Sequence, residues 1–139
     1  MQSINFDESV LGIELGSSRI KAVLIDKEHK PIASGDHTWE NQYENGIWTY
    51  SVEAVWDGLQ DAYDNRVKDV KEKYDADLTA CGAMGVSAMM HGYLPFDKNG
   101  RLLVPVRTWR NTITKEAAGK LKERCGFTIP QRQGLAQLD

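Results

Sequence analysis

The sequence has 139 residues, a size at which folding removes roughly two-thirds of the surface of the unfolded chain, so one hydrophobic core is the first expectation. Hydrophobic residues at 41% and charged residues at 27% exclude a disordered chain, and apolar stretches such as Val10–Ile13 are far too short to cross a bilayer. A net charge of −3, with 17 basic and 20 acidic residues scattered along the length, gives no electrostatic support to a nucleic-acid partner.

The N-terminus carries Asp7 and Glu8 and lacks the basic start and apolar run of a signal peptide. Cys81 and Cys125 lie far apart with no metal-type spacing, which fits a reducing, cytoplasmic setting and buried thiols. Val10–Leu15 and Ile20–Ile25 are nearly continuous β-compatible runs separated only by Gly16-Ser17-Ser18-Arg19, so they read as a hairpin of interior strands. Asp26–Lys30 reads as a polar turn and Pro31–Thr38 as a third strand, completing an antiparallel meander. His29, in that turn, and His37, on that strand, read as structural. Trp39–Tyr50 reads as a polar loop around Asn45-Gly46, its aromatics Trp39, Trp48 and Tyr50 expected to pack over the helix that follows.

That helix is the strongest local signal. Ser51 is a good N-cap, and Val52, Val55, Trp56, Leu59, Ala62, Tyr63, Val67, Val70 and Tyr74 follow steps of three and four. Leu78–Met90 returns to a small, apolar run ending at His91-Gly92, which predicts a buried strand whose C-terminal end opens onto a site. Tyr93–Phe96 and Leu102–Val106 flank the turn residues Asp97-Lys98-Asn99-Gly100 and predict a second hairpin. Thr114 is placed to cap a helix through Ala117, Ala118 and Leu121, with Lys122 and Arg124 in its last turn and Gly126 beyond. From Gln131 to Asp139 no period and no stop signal is found.

Three segments carry candidate chemistry. In Glu14-Leu15-Gly16-Ser17-Ser18-Arg19, Gly16 lets a phosphate approach the backbone, and the N–H groups and hydroxyls of Ser17 and Ser18 can cradle its oxygens. Glu14, inside an apolar strand, supplies the hard oxygen ligand that a magnesium nucleotide needs. The same pattern also fits an outward-facing Glu14 beside an ordinary Gly-Ser turn. The turn leads into a strand and not a helix, so neither a P-loop nor a Rossmann fingerprint fits. In Met89-Met90-His91-Gly92, His91 can hydrogen-bond a polyol hydroxyl while Met90 packs on its carbon face, although a lone His near an apolar run is more often a structural hydrogen-bonder. In Thr108-Trp109-Arg110-Asn111-Thr112, an indole, a guanidinium and an amide meet between a strand and a helix, a mixture suited to a sugar, though Trp109 as core and Arg110 as surface charge also fit.

Taken in order, these pieces resemble the N-terminal part of the FGGY family of carbohydrate kinases. The family's opening Asp-x-Gly-Thr-Thr/Ser hairpin is matched by Glu14-Leu15-Gly16-Ser17-Ser18, and its glycine-aromatic loop and Trp-bearing first helix by Gly46-Ile47-Trp48-Thr49-Tyr50 and Trp56. The Gln-Met-His-Gly segment of its pentulose-kinase branch is matched by Met89-Met90-His91-Gly92, and the elements after it by Asp97 with Gly100, Val104-Pro105 and Trp109-Arg110-Asn111. Three positions depart: Glu14 for Asp, Met89 for Gln, and Arg110-Asn111 for Asn-Asp.

The resemblance implies an α/β, ribonuclease-H-like (actin-like) domain, a mixed sheet with a β-meander and flanking helices. Residues 1–139 would be an N-terminal domain portion, the C-terminal ATP-binding domain and the catalytic Asp lying beyond it. It implies ATP and magnesium as cofactors, with Gly16, Ser17, Ser18 and Arg19 on the phosphates and Glu14 on the metal. Met90, His91, Trp109 and Arg110 would bind a ketopentose or related polyol. It implies no membrane partner and leaves a homodimer open. The isolated chain is expected to be inactive. The alternative is a non-catalytic domain of the same fold that binds a phosphate or a partner.

Overall fold

The computed structural model describes residues 4–130, and the stretch Gln131–Asp139, read above as lacking a clear element, lies outside the described residues. In chain order the elements are a 3-10 turn (Phe6–Glu8), β1 (Val10–Leu15), β2 (Arg19–Ile25), β3 (Pro31–Thr38), β4 (Gln42–Glu44), β5 (Ile47–Thr49), α1 (Val52–Tyr74), β6 (Ala83–Ala88) and α2 (Lys115–Cys125). They fall into two compact units: residues up to Glu40 with Glu53–Met89, and Asn41–Val52 with residues from Met90 onward.

The first unit is a four-stranded mixed sheet in the order β3-β2-β1-β6. Its meander follows the expected bounds, Leu15 opposite Ile20 and Ala22 opposite Gly35, while β6 runs parallel to β1 with Val86 beside Ile13. Strand alternation sends Leu11, Ile13, Ile20, Ala22, Leu24, Ala33 and Gly35 to one face, where all are buried. Glu14, Lys21 and Asp36 line up across the other face and are exposed.

Helix α1 lies on the buried face through Gly58, Ala62, Arg66 and Val70, an i, i+4 stripe. Its closest approach is at Gly35, where an added Cβ would fall on the backbone of Arg66 and Ala62. At Gly58 an added Cβ would meet His37 Cδ2 at 2.8 Å and Ile20 Cδ1 at 2.9 Å. Side chains on one flank of α1 then satisfy the outer edge of β3. Asn65 Nδ2 donates to Asp36 O at 3.2 Å, Tyr74 Oη donates to Ile32 O at 3.1 Å, and Asp69 Oδ2 accepts from Ser34 N at 2.9 Å.

Two expectations about burial are corrected. Trp56 and Tyr63 belong to the apolar spacing of α1 yet are 65% and 37% exposed, because the sheet contacts a narrower arc of the helix than the spacing covers. The strand expected to be buried over Leu78–Met90 is β6, shorter and exposed at all six of its positions, because it is the edge of the sheet.

In the second unit, β4 and β5 pair through Asn45 (φ +50°) and Gly46 (φ +82°), the positive dihedrals of a tight hairpin turn. The loop reading of Trp39–Tyr50 is corrected accordingly. Tyr93–Arg107 and Phe96–Leu102 are isolated antiparallel bridges, a narrower pairing than the expected hairpin. Its turn has the expected chemistry: Asp97 Oδ1 accepts from Asn99 N at 2.8 Å and Arg101 N at 2.9 Å, and Gly100 has φ +78°. Helix α2 begins after Thr114, which makes no side-chain cap bond, and ends on Gly126 at φ +74° with its N–H on Lys122 O. Among the described residues, no helix is long and apolar enough to cross a membrane.

Two outcomes follow from the α1–β3 contact. Gly35→Val should destabilise the chain by about 3 kcal/mol or more in urea denaturation, since backbone and not a flexible side chain blocks the new atoms. A stability within about 0.5 kcal/mol of the parent would show that the approach is not tight. The second concerns Asp69, whose carboxyl is held below its ordinary 3.8, first by the hydrogen bond from Lys73, against a smaller desolvation effect and with help from Ser34 N–H. A lowered folded value means stability that is present above the ordinary range and lost as pH falls through the folded value. Asp69→Asn should therefore flatten the fall in thermal stability below about pH 4, and an unchanged acid limb would refute the assignment.

Candidate functional site

The Gly16–Arg19 turn stands at the end of the sheet where β1 passes into β2. Gly16 N–H donates to Arg19 O at 2.9 Å, and a Cβ on Gly16 would meet the same oxygen at 2.8 Å. Glycine is therefore required there by close approach and not by a positive φ. Two carbonyls of the turn are turned toward Trp39, the residue after β3: its indole Nε1–H donates to Gly16 O at 2.8 Å and its backbone N–H to Ser18 O at 3.2 Å. Trp39 is 8% exposed, so this buttress is part of the core. Its effect is electrostatic as well as steric. Carbonyl oxygens that would repel an anion are satisfied by protein donors.

Ser18 and Arg19 are exposed, Ser17 half-buried. Glu14 is also exposed, which matches the outward-facing alternative of the two sequence readings, so it bears no burial cost. It stands in register with Lys21 on β2 and Ser87 on β6 and makes no ion pair among the described residues. Arg19 NH1 lies 3.1 Å from Asp36 Oδ2, both about half exposed, a surface pair that contributes little and can exchange partners. No group of three or more His, Cys, Asp or Glu that could hold a metal is found among the described residues. One exposed carboxylate still fits magnesium, which keeps most of its waters and takes one or two protein carboxylates with the phosphates of its nucleotide.

The other candidates lie in the second unit. Met90 is 74% exposed and His91, with φ +64°, is in the left-handed region that non-glycine residues rarely occupy. Tyr93 and Arg107 exchange both backbone hydrogen bonds, at 2.9 and 3.1 Å. His91 and Trp109 each lie two residues outward from that bridge, so the two predicted sugar segments are drawn together. Arg110 sits over two indoles, its guanidinium carbon 5.2 Å from the Trp48 ring and 5.7 Å from that of Trp109.

Asn111 gives this cluster its geometry. Its Oδ1 accepts from Trp48 N at 2.9 Å and its Nδ2 donates to Trp48 O at 2.7 Å and Thr108 O at 3.0 Å, the exchange that a neighbouring strand would make with β5. Tyr50 is buried beside them and receives Asn41 Nδ2 at 2.7 Å. Burial pushes its phenol up, against the opposing pulls of Arg110 and Asn41, so it is a neutral donor near pH 7. Three buried polar atoms here, Asn41 Oδ1, Arg107 Nε and Thr108 Oγ1, have no hydrogen-bond partner among the described residues. Such atoms are costly unless a ligand or water meets them.

Sequence reasoning assigned no site role to Trp39, Asn41, Trp48, Arg107 or Thr108. Trp39 and Trp48 were expected over the helix, whereas their hydrogen bonds are with the Gly16–Ser18 turn and with Asn111. Nothing local marks them, because each acts on a segment distant in sequence.

Residues 9–136 match the FGGY family of carbohydrate kinases, N-terminal domain. A glycerol kinase of Thermococcus gammatolerans is 24% identical over 127 residues, 91% of this chain and 25% of that protein. A xylulose kinase of Escherichia coli is 23% identical over 121 residues, 87% of this chain and 23% of that protein. Among solved structures, a ligand-bound xylulose kinase from Lactobacillus acidophilus superposes with a TM-score of 0.66 at 23% identity, covering 94% of this chain and 24% of that one. The chain thus spans about a quarter of the length of the relatives it matches.

The Asn111 clasp is testable directly. Asn111→Ala should cost about 1–3 kcal/mol in urea denaturation, since it leaves the Trp48 N–H without its acceptor while Trp48 O keeps only the Thr108 N–H. It should also shift the tryptophan emission. Asn111→Asp, which keeps one acceptor, should recover part of the loss; an alanine variant with parental stability and emission would show that the clasp holds nothing.

Proposed function

Since the chain belongs to the FGGY family of carbohydrate kinases, we propose that it is the front portion of a longer, cytoplasmic enzyme that phosphorylates a sugar or polyol with ATP. The observation that carries this reading is the family match across residues 9–136. The Gly16–Ser18 turn, with its carbonyls satisfied by Trp39, supports it.

In this reading the γ-phosphoryl group passes from ATP to a hydroxyl of the acceptor, and the hydroxyl proton passes to a carboxylate expected beyond residue 139 in the longer protein. Gly16, Ser17 and Ser18 offer donors to the terminal phosphates, and Arg19, on exchanging Asp36 for the nucleotide, adds a charge. Glu14 would hold magnesium or its waters, the ion neutralising phosphate charge as transfer proceeds. Met90, His91, Trp109 and Arg110 form one wall for the acceptor. Arg107 Nε and Thr108 Oγ1 are further groups that a hydroxyl can satisfy. The acceptor is a ketopentose or a related polyol, and the relatives, named as glycerol and xylulose kinases, set the first two compounds to test.

Phosphoryl transfer is mostly positioning and charge neutralisation, so a chain holding part of the machinery should bind weakly and turn over nothing. The uninterrupted protein should form ADP in the presence of glycerol or xylulose, and the 139-residue chain should not. Glu14→Ala in the longer protein should lower the rate about 10- to 100-fold, recovered in part by raised magnesium. No acceptor-dependent ADP from the longer protein would sink the kinase reading in favour of a phosphate- or partner-binding module. Turnover by the short chain would sink the division of labour.

A further inference from the structure

The Gly16–Arg19 turn is held largely from outside itself. Gly16 N–H donates to Arg19 O at 2.9 Å, but the return bond that closes many tight turns, from Arg19 N–H to Gly16 O, is not made among the described residues, and Ser17 and Ser18 form a bend. Gly16 O instead accepts the indole Nε1–H of Trp39 at 2.8 Å, a bond that spans 23 positions of sequence. Ser18 O accepts the Trp39 main-chain N–H at 3.2 Å, which continues the pairing of β2 with β3. The second bond belongs to the sheet, and any residue but proline at position 39 could make it. The first requires an indole.

A trans peptide is planar, and its C=O and N–H point opposite ways. With Gly16 C=O drawn inward onto the indole, the N–H of the same peptide, that of Ser17, is directed away from Trp39. Rotating this peptide would leave the indole donor unmet in a residue only 8% exposed, and would turn a bare carbonyl outward. A carbonyl aimed at a phosphate repels it and an N–H attracts it, so the sign of the field over the turn depends on that one donor. We propose that Trp39 is the positioning residue of the phosphate turn: its indole N–H holds the Gly16 carbonyl inward, so that the terminal phosphates of a nucleotide meet N–H groups. The inference rests on the reading of this turn as a phosphate cradle. Substitutions within the turn keep its backbone groups, whereas Trp39 decides which way they face.

The test uses the uninterrupted protein and two replacements. Trp39→Phe keeps an aromatic ring and the main-chain N–H and removes the indole donor. Replacement of Trp39 by benzothienylalanine keeps the shape of the indole and puts sulfur in place of its N–H. Both should weaken ATP binding about 10-fold in calorimetry and raise the KM for ATP to match, while AMP binding and the KM for the acceptor stay within about twofold of the parent. A merely structural Trp39 would lower the melting temperature and leave the ratio of ATP to AMP affinity unchanged. Parental ATP affinity in the benzothienylalanine protein overturns the proposal, as does an equal loss for ATP and AMP. Should Trp39→Phe fail to fold, the benzothienylalanine protein decides alone. ADP formation with glycerol or xylulose separates the two readings: turnover by the parent without an ATP-specific loss in the variants removes the role of Trp39 and spares the kinase. An ATP-specific loss in a parent that transfers nothing does the reverse, and a parent that binds no ATP removes both.

Discussion

The first unit depends on one absent atom. Gly35 has no Cβ, and the backbone of α1 at Ala62 and Arg66 occupies the space such an atom would need. The helix can then settle low enough for Asn65, Asp69 and Tyr74 to bond the outer edge of β3, which closes one side of the sheet without a fifth strand. The same placement draws α1 away from β6. The covered half, from β3 to β1, holds the buried residues Ile20, Ala22 and Leu24, each at 0% exposure, while β6 is left open. Where the core is dense and where the sheet is bare are two consequences of one contact.

That contact also leaves the face of Glu14, Lys21 and Asp36 clear. Cross-strand opposite charges there stabilise by small amounts in water, so the row is easily rearranged by an incoming ion. Rigidity comes instead from Trp39, buried and hydrogen-bonded to the turn by both its indole and its main chain. A fixed backbone with exchangeable charges beside it suits an anion held by N–H groups, and such a site needs no basic surface. The overall charge of −3 is no obstacle to it.

What the sequence made legible was whatever short-range chemistry decides. The β1–β2 hairpin, the bounds of β3 and α1, the Asp97 turn and the left-handed Gly126 cap all follow from residues within a few positions. The Asn45-Gly46 hairpin carried an equally local signal, hidden among aromatic and polar neighbours. Burial was less legible. An apolar run such as Ala83–Ala88 reads the same at a centre or at an edge, and only the strand order distinguishes them. Arg66 is the converse case, a charged residue on a spacing that places it inside, and periodicity counted over apolar residues passes over it. In the candidate site, Glu14, Gly16, Trp109 and Arg110 were singled out from type and spacing. Trp39 and the role of Asn111 as a strand mimic were not, because both act across more than twenty residues of sequence.

The two candidate surfaces differ in the groups each presents, and on the proposed function that difference bears on the choice of acceptor. The Gly16–Ser18 turn presents mainly backbone groups, which any side-chain substitution other than at Gly16 leaves in place. The second unit presents side chains: Trp48 and Trp109 around Arg110, with Arg107 Nε and Thr108 Oγ1 buried and without a hydrogen-bond partner among the described residues. Unmet buried polar atoms discriminate strongly, because an acceptor lacking the matching hydroxyl leaves them unsatisfied at a cost of about 1–3 kcal/mol each. In the proposed reading Met89 and Arg110-Asn111, which depart from the pentulose-kinase pattern, fall in the segments assigned to the acceptor, whereas Glu14, the third departure, stands beside the phosphate turn. Asn111 is committed to Trp48, so on the proposed function Arg110 would be the departure that reads the acceptor: a fork of fixed planar donors stacked on indoles, which selects for hydroxyl geometry more than for chain length.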